Sequence, residues 1–498
     1  MSHSVLGIDL GTSSLKCVLM DGDGRVRGTA SRPYPTSRPQ PGWAEQNPAD
    51  WCEALAHALG ELRTRGRAAF ADIGAIGLCS AAHIPVLLDG HDSVVRPAIL
   101  WSDQRSEAQV QAINAEHGAL LERLALNRAG CTWTLPQLLW LRDCEPENHR
   151  RARSVLCSKD YLLWKLTGIK VTDPASAAAT LMADVPARGW SEALTGLAGL
   201  SADMLPPILS TDAEAGRVSA TASREFGLPA GIPVFVGTLD SAAELIGCGV
   251  CEPQNTGMIM VGSSGGVMAL AHAPSHHAGI ITYPYVVDDF YYKQAGTNSC
   301  ATSLQWIRTL FSTVPGQAAA LGFAELDQLA AQTDAGADGL LFHPYLQGER
   351  APYWNPELRG SFCGIDQAHT SAHFVRAVME GVAYSLKDCL AMFERNGLTM
   401  KSAVIAGGVA KSPVWTRIIT DVLGLDTYTT QNGESAFGAA LLAATASGTF
   451  ADLKEAVATC VRREHTLSPD PQSAARYAAH FARYQTVAAF YDSLSRAA

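Results

Sequence analysis

Residues 5–20 read VLGIDLGTSSLKCVLM and form the segment that is most indicative of the fold. Two apolar runs, 5–10 and 17–20, flank the small polar residues Gly11 to Ser14. Apolar runs separated by a short turn of glycine and hydroxyl residues predict a β-hairpin. A tight turn of small residues exposes backbone N–H groups, and its hydroxyls add donors, so the tip of this hairpin suits phosphate oxygens.

The same pattern returns half a chain later, where residues 258–270 read MIMVGSSGGVMAL. The repeat predicts two halves that each begin with a hairpin loop of phosphate size. A length of 498 residues allows two to four domains. We therefore expect a first domain over residues 1–248 and a second over residues 249–498.

Residues 262–266 also match G-x-S-x-G, the nucleophile elbow of α/β-hydrolases, which makes a hydrolase the main alternative from another class. A true elbow needs a helix directly after its serine, whereas the apolar run that begins at Val267 predicts a strand. The pattern G-x-x-x-x-G-K-(S/T) does not occur in the sequence, which excludes a P-loop enzyme.

Two aspartates accompany the predicted loops. Asp9 directly precedes the first loop, and a carboxylate beside bound phosphate requires an intervening cation, usually Mg²⁺. Asp240 lies between the apolar run 232–237 and a helical stretch, where one interpretation is a helix N-cap. Ser241 and Glu244, however, form an S-x-x-E capping box that is expected to satisfy the helix start. Asp240 would then face a cleft and could accept the proton of an attacking hydroxyl.

The composition limits the partners that the protein can have. Lys and Arg number 38 against 48 Asp and Glu, so nucleic acid and anionic membranes are not expected to bind. Twelve scattered cysteines show no disulfide framework and predict reduced thiols in the cytoplasm. No signal-peptide pattern opens the chain, and no apolar run reaches the roughly 18 residues of a membrane helix.

Taken together, the motifs resemble those of the FGGY family of carbohydrate kinases, in the same order and over almost the whole chain. The resemblance is carried by segments 7–14, 237–243, 262–265, 360–380 and 407–412. Segment 360–380 is the most specific of these because it matches a long signature of the family. The resemblance implies an α/β protein with two ribonuclease H-like domains of the actin/hexokinase superfamily and a nucleotide cleft between them.

Within the family the similarity is greatest to the xylulokinases, through segments 41–46, 96–101, 103–105, 159–162 and 348–352. Ala81 and Ala82 replace the Gln-Met pair that is usual there, and Ser241 replaces a frequent Asn. The resemblance implies that Mg-ATP phosphorylates a small neutral sugar, with D-xylulose giving the 5-phosphate as the first expectation. L-Xylulose, ribulose, erythritol and glycerol are alternatives, and a non-enzymatic ATPase switch is a more distant one.

The resemblance also implies roles for individual residues. Asp240 is the expected catalytic base, and Asp9 and Asp240 are the expected contacts of Mg²⁺. The residues expected to contact the sugar are Ala82, His83, Trp101, Asp103 and Asp240. The residues expected to contact ATP are Thr12, Ser13, Lys16, Gly262, Ser263, Ser264, Gln305, Gly407, Gly408 and Ser412. A homodimer is an expectation that rests on the family alone.

Overall fold

The computed structural model describes residues 3–287, 290–312 and 321–497. The strands are β1 (Ser4–Leu10), β2 (Ser14–Met20), β3 (Val26–Pro33), β4 (Glu45–Gln46), β5 (Ile73–Ser80), β6 (Pro85–Leu88), β7 (Ala98–Ile99), β8 (Ser154–Cys157), β9 (Ala183–Asp184), β10 (Gly189–Trp190), β11 (Glu214–Arg217), β12 (Pro233–Phe235), β13 (Thr238–Leu239), β14 (Thr256–Val261), β15 (Gly265–Ala271), β16 (Ile281–Pro284), β17 (Tyr291–Thr297), β18 (Leu341–His343), β19 (Ser361–Cys363), β20 (Ser402–Ala406), β21 (Asp426–Thr430) and β22 (Arg463–Leu467).

The helices are α1 (Pro48–Arg65), α2 (Arg67–Ala71), α3 (Glu107–Leu124), α4 (Thr134–Cys144), α5 (Pro146–Arg151), α6 (Ser158–Thr167), α7 (Pro174–Ala178), α8 (Glu192–Leu197), α9 (Ala220–Phe226), α10 (Asp240–Gly247), α11 (Ala301–Ser312), α12 (Phe323–Ala330), α13 (Ser371–Arg395), α14 (Pro413–Leu423), α15 (Ser435–Ala446), α16 (Leu453–Cys460) and α17 (Pro471–Ala497).

The first sheet is built around the predicted N-terminal hairpin. Its strand order is β11-β12-β5-β1-β2-β3, and β13 pairs with β5. Strands β1 and β2 are antiparallel, with Leu10 opposite Leu15, so the structure confirms the hairpin. Strand β1 is buried along its whole length because both of its faces are covered. Leu6, Ile8 and Leu10 share a core with α1, whereas Gly7 faces α15, as the two-residue period of a strand requires.

The second sheet repeats the arrangement, in the order β16-β17-β15-β14-β20-β21-β22. Strands β14 and β15 form the second predicted hairpin, and β14 runs parallel to β20. Strand β15 starts directly after Ser264, so no helix follows the serine and the hydrolase alternative is excluded. Helix α13 supplies much of the core on this side. The protein thus has the two-domain α/β fold with mixed sheets that its sequence predicted.

Helix α15 belongs to the second half of the sequence but packs on the first sheet. A Cβ atom on Gly7 would lie 1.9 Å from the carbonyl oxygen of Ala436, and one on Gly77 would lie 2.2 Å from that of Ala439. On the other side of α15, a Cβ atom on Gly438 would lie 1.7 Å from the Ala243 carbonyl oxygen of α10. Only glycine allows such backbone contact. The division at residues 248 and 249 stays a prediction.

Two observations bear on the expectations drawn from composition. The twelve cysteines are free thiols, and eight of them are buried: Cys17, Cys52, Cys79, Cys131, Cys248, Cys300, Cys389 and Cys460. In the part of the chain that the structure describes, no helix combines the length and the apolarity needed to cross a bilayer.

Candidate active site

The candidate site lies where the parallel strands of the first sheet end. Strands β1, β5 and β13 are in register there, because Leu10 and Leu239 both lie opposite Ser80. The carboxyl ends of parallel strands meet at one edge of a sheet, and ligands of open α/β sheets bind at that edge. The edge brings together the loop after β1, the residues Ala82 and His83 after β5, and Asp240 after β13.

In the first loop, the carbonyl groups of Gly11 and Thr12 point towards the protein interior and are held there by hydrogen bonds. The Tyr34 hydroxyl donates to the carbonyl oxygen of Gly11, and Gln46 Nε2 donates to that of Thr12 at 2.8 Å. In a planar trans peptide the N–H points opposite to the C=O of the same unit. The amides of Thr12 and Ser13 therefore point away from Tyr34 and Gln46, and are available to an anion.

The second loop is built in the same way. The backbone N–H of Ala301 donates to the carbonyl oxygen of Gly262 at 2.9 Å, and that of Cys300 donates to Ser263 at 3.0 Å. By the same peptide geometry, the amides of Ser263 and Ser264 point away from α11. Both hairpins thus turn two successive amides in one direction, which is the arrangement that cradles phosphate.

Gly407 and Gly408 lie beside the second loop. Strands β14 and β20 are parallel and end together, with Met260 opposite Ala406. A Cβ atom on Gly407 would lie 2.4 Å from the carbonyl oxygen of Val261, so this close approach requires glycine. Both glycines are exposed, as a surface for the rest of a nucleotide would be.

Ser412 and Gln305 have contacts of their own. Ser412 is the N-cap of α14, where its hydroxyl accepts from Trp415 N at 3.0 Å and donates to Asp327 at 2.8 Å. Gln305 is exposed on α11, and its side chain donates to Thr309 at 3.4 Å. For both residues, contact with a nucleotide stays a prediction.

Three acidic side chains gather at the strand ends. Asp9 is 7% exposed, and its burial together with the charge of Asp240 raises its pKa to about 7. Asp240 is half-buried, and loss of solvent raises its pKa to about 6. Burial, Asp240 and Asp9 raise the pKa of Glu244 to about 8. Lys16 is the nearby cation, and it lies 3.8 Å from Glu434. The site therefore carries an acidic cluster that a cation would stabilise.

The predicted capping box is wrong. Helix α10 begins at Asp240, with Leu239 as its N-cap, so Ser241 already lies inside the helix. The backbone N–H of Ser241 donates to Asp240 Oδ1 at 2.7 Å, and the Ser241 hydroxyl pairs with Tyr292 at 3.0 Å. Glu244 joins the acidic cluster instead of reaching back to the helix start. Asp240 faces the site nevertheless, because it follows β13 at the carboxyl edge.

His83 is the buried residue at the end of β5, with a positive φ of 63°. Its Nδ1 lies 2.7 Å from the carbonyl oxygen of Ala179, and its Nε2 lies 2.9 Å from the Tyr283 hydroxyl. Burial and the charge of Arg350 lower its pKa to about 4, so the ring is neutral at physiological pH. Both ring nitrogens are engaged within the protein, and direct contact of His83 with the sugar stays a prediction. Its neighbour Ala82 is half-buried at the same edge.

Asp103 also has its hydrogen-bond partners within the protein. The carboxylate is 1% exposed and accepts from Ala44 N at 2.6 Å and from Arg105 Nη2 at 2.7 Å. A carboxylate that is buried and paired with an arginine commonly supports the structure, and contact of Asp103 with a sugar stays a prediction. Trp101, by contrast, is half-buried at the site, and its Nε1 donates to the Thr12 hydroxyl at 2.9 Å.

Sequence reasoning missed two tyrosines of the second sheet. Tyr283 on β16 bonds to His83, and its cross-strand neighbour Tyr292 on β17 bonds to Ser241. The first of these contacts joins residues 200 positions apart in the chain. The sequence signal was a group of tyrosines at 283, 285, 291 and 292, which the aromatic preference of strands explains equally well.

Paired phosphate-type loops, an acidic cluster and two α/β domains define a phosphotransferase of the two-domain sugar-kinase class. Residues 4–247 match the N-terminal domain, and residues 257–447 the C-terminal domain, of the FGGY family of carbohydrate kinases. The chain belongs to this family and is a carbohydrate kinase, xylulokinase-like in sequence.

Relatives match the protein over nearly their whole length. A xylulose kinase of Bacillus subtilis is 32% identical over 486 residues, which cover 97% of this chain and 96% of the relative. A xylulose kinase of Lactococcus lactis is 34% identical, with 95% and 94% covered. The crystal structure of xylulose kinase from Rhodospirillum rubrum superposes with a TM-score of 0.90 at 29% identity, over 99% of this chain and 100% of that one.

Proposed function

We propose that this protein transfers the γ-phosphoryl group of ATP to a hydroxyl of a small neutral sugar, with D-xylulose and its 5-phosphate as the first candidate pair. The observation that carries the proposal is the shared edge of β1, β5 and β13, where Asp240 lies beside the first phosphate-type loop. The names of the relatives support xylulose as the sugar.

Asp240 is the proposed general base. One of its oxygens, Oδ1, accepts from the Ser241 amide at 2.7 Å, which leaves Oδ2 for the sugar hydroxyl. Transfer forms a bond between the sugar oxygen and the γ-phosphorus and breaks the bond to the bridging oxygen, which leaves on ADP. The hydroxyl proton passes to Asp240 and then to solvent. Because phosphoryl transfer is largely dissociative, the base needs correct placement more than high basicity.

The two loops are proposed to hold the phosphates. The amides of Thr12, Ser13, Ser263 and Ser264 are turned away from the groups that fix their carbonyls, so each loop offers two aligned donors. Lys16 adds a positive charge beside the first loop. Gly262 gives the second loop its tight turn. Gly407 and Gly408 would face the adenosine, with Gln305 and Ser412 at its border.

The acidic pair Asp9 and Asp240 fits a divalent cation. Burial raises the pKa of Asp9, and the charge of the neighbouring Asp240 raises it further. Among the described residues no three His, Cys, Asp or Glu side chains are arranged to hold one metal ion, so an ion here would need further ligands from phosphate and water. Asp9 would hold Mg²⁺ through water, with Asp240 within reach. When bound, the ion would neutralise charge on the phosphates.

The sugar is proposed to be uncharged because the residues around His83 are apolar or aromatic. The rings of Trp133 and His83 pack edge to face, with their centroids 4.5 Å apart. The centroid of the Tyr283 ring lies 5.9 Å from that of Trp133. Arg350 is the cation close enough to affect the pKa of His83 and of Tyr283. A sugar acid is therefore the informative competitor to test.

Release of ADP from Mg-ATP, measured with a panel of sugars, tests the proposal. The panel contains D-xylulose, L-xylulose, D-ribulose, L-ribulose, erythritol and glycerol, with D-gluconate as the acid. We expect D-xylulose to stimulate turnover most strongly and to give a 5-phosphate by phosphorus NMR. Stimulation by D-gluconate above every neutral sugar would overturn the neutral substrate, and ATP turnover that no sugar stimulates would favour an ATPase switch.

A further inference from the structure

The hydrogen-bond roles at His83 follow from its two partners. The Ala179 carbonyl can only accept, so His83 Nδ1 carries the proton and donates across 2.7 Å. A neutral imidazole has one donor nitrogen and one acceptor nitrogen, so Nε2 accepts. The Tyr283 hydroxyl, 2.9 Å away, therefore donates to His83. The imidazole has no donor left for a sugar hydroxyl.

The same bond leaves the Tyr283 oxygen with two lone pairs, because a phenol that donates once can still accept. Tyr283 is 2% exposed, and its ring lies 5.1 Å from that of Tyr292. Tyr292 in turn pairs with Ser241, the residue next to the proposed base. Burial raises the pKa of Tyr283, and the charge of Asp240 raises it further, as expected for neighbouring groups. The Tyr283 oxygen is thus a fixed acceptor close to Asp240.

The strand that carries Tyr283 is docked onto the first domain. Asn127 Nδ2 donates to the Thr282 carbonyl oxygen at 2.9 Å, and Thr282 N donates to Asn127 Oδ1 at 3.0 Å. This paired contact joins the residue directly before Tyr283 to the domain that contains His83. Its geometry fixes the Tyr283 hydroxyl relative to the end of β5.

We infer that Tyr283, contributed by the second domain, accepts a hydrogen bond from the sugar beside His83, and that His83 acts as a positioning residue that orients the Tyr283 hydroxyl. The inference rests on the proposed sugar kinase activity and assigns a substrate contact within it. The proposed sugar site is complete only when β16 is packed against the first domain. The affinity for the sugar therefore depends on contact between the two domains.

Steady-state kinetics of Tyr283→Phe test the inference, with Tyr285→Phe as the matched control. Tyr285 is equally buried, but its hydroxyl donates to the Val250 carbonyl oxygen at 2.7 Å. Tyr283→Phe is expected to raise the sugar KM about tenfold, the effect of one lost hydrogen bond, with kcat and the KM for ATP changed by less than about twofold. Tyr285→Phe should leave the sugar KM unchanged. Equal kinetics of the two variants would overturn the inference.

A double-mutant cycle separates positioning from direct contact. His83→Asn suits the site because Asn tolerates positive φ and its amide can still donate to Ala179. If His83 acts through Tyr283, this change raises the sugar KM in the wild type but has little effect in Tyr283→Phe. An equal rise in both backgrounds would show that His83 touches the sugar itself. If no sugar stimulates the wild-type protein, the proposed function itself is refuted. Failure of the inference looks different, because it shows only in the sugar KM values of the variants relative to the wild type.

Discussion

At the scale of single residues, burial and pairing decide which polar groups of the site are available to a ligand. Asp103 and His83 both lie in segments that predict a sugar site. The Asp103 carboxylate, however, is hydrogen-bonded to Arg105, and the His83 ring is hydrogen-bonded to Ala179 and Tyr283. The placement of Asp9, Asp240 and the two loops followed from sequence because each directly follows or ends an apolar strand. The partners of Asp103 and His83 could not be foreseen, since they depend on contacts between distant segments.

Asp240→Asn is expected to lower kcat by about 10²- to 10⁴-fold, the usual contribution of a general base. The amide keeps the shape of the side chain but cannot take the hydroxyl proton. Binding of ADP, measured by titration calorimetry, should change little, since the loop amides remain in place. Asp426→Asn is the control, because this exposed aspartate begins β21 at the opposite edge of the second sheet from Gly407. Near wild-type turnover of Asp240→Asn would refute the assignment.

At the scale of elements, both hairpins were predictable and the start of α10 was not. Alternation of apolar runs with small residues indicated β1–β2 and β14–β15 because it reflects burial on a sheet. The S-x-x-E pattern after Asp240 is an equally ordinary signal, yet the helix begins two residues earlier than a capping box at Ser241 needs. The hydrogen bond between the side chains of Ser241 and Tyr292 is a tertiary contact that the local pattern does not contain.

Glu244→Gln is expected to raise the melting temperature of the ligand-free protein at alkaline pH. Glu244 lies one helical turn after Asp240, and like charges at this spacing repel. Its pKa is about 8 in the folded protein against an ordinary value of 4.5, so the folded state holds the proton more tightly. The protonated side chain therefore contributes stability that is fully present below the ordinary pKa of 4.5. This stability is lost as the pH rises through the pKa of about 8 in the folded protein.

Thermal melts at about pH 5 and about pH 9, without nucleotide or divalent metal, measure this effect. The variant and the wild type should melt closely together at the acidic pH and separate at the alkaline pH, where only the wild type carries the extra charge. Glu464→Gln, at an exposed position on β22, is the control and should show no such difference. An equal shift at both pH values would contradict the assignment to Glu244.

The contact between α10 and α15 gives a second prediction for an element. Gly438→Ala places a methyl group against the backbone of Ala243, and neither helix can yield cheaply, so the free energy of unfolding should fall by about 3 kcal/mol. Gly60→Ala is the matched control within a helix, because no atom lies within 4 Å of its Cβ position. It should stabilise the protein by about 1 kcal/mol through helix propensity. Urea unfolding of both variants decides the comparison.

At the scale of the whole molecule, the two halves of the sequence are not two independent structural units. Helix α15 covers the face of the first sheet that includes Gly7 and Gly77. Strand β16 of the second sheet is bonded to Asn127 and His83 of the first domain. Pattern analysis divides the chain at the repeat of its hairpins, and it cannot show that an element of one half completes the core of the other.

A fragment of residues 1–248 is therefore expected to lack a cooperative thermal transition, since its first sheet would expose the surface that α15 covers. The control is the full chain with a protease site inserted at Gln254 and Asn255, which are exposed. After cleavage this protein keeps α15 in place and should still melt cooperatively by circular dichroism. A sharp transition in the isolated fragment would show that the first domain is complete without α15.

The position of α15 late in the sequence also means that the first sheet is synthesised well before the helix that covers it. Ser80 ends β5 and Ser435 begins α15, so at about 5–20 residues per second the ribosome takes roughly 20 to 70 s to make the second after the first. Throughout that interval the nascent sheet lacks the helix that covers Gly7 and Gly77, and we expect this uncovered face to be prone to aggregation. The close packing of α15 on the first sheet thus delays completion of the fold until late in synthesis. We expect the yield of folded protein to depend on how well this intermediate is protected from aggregation.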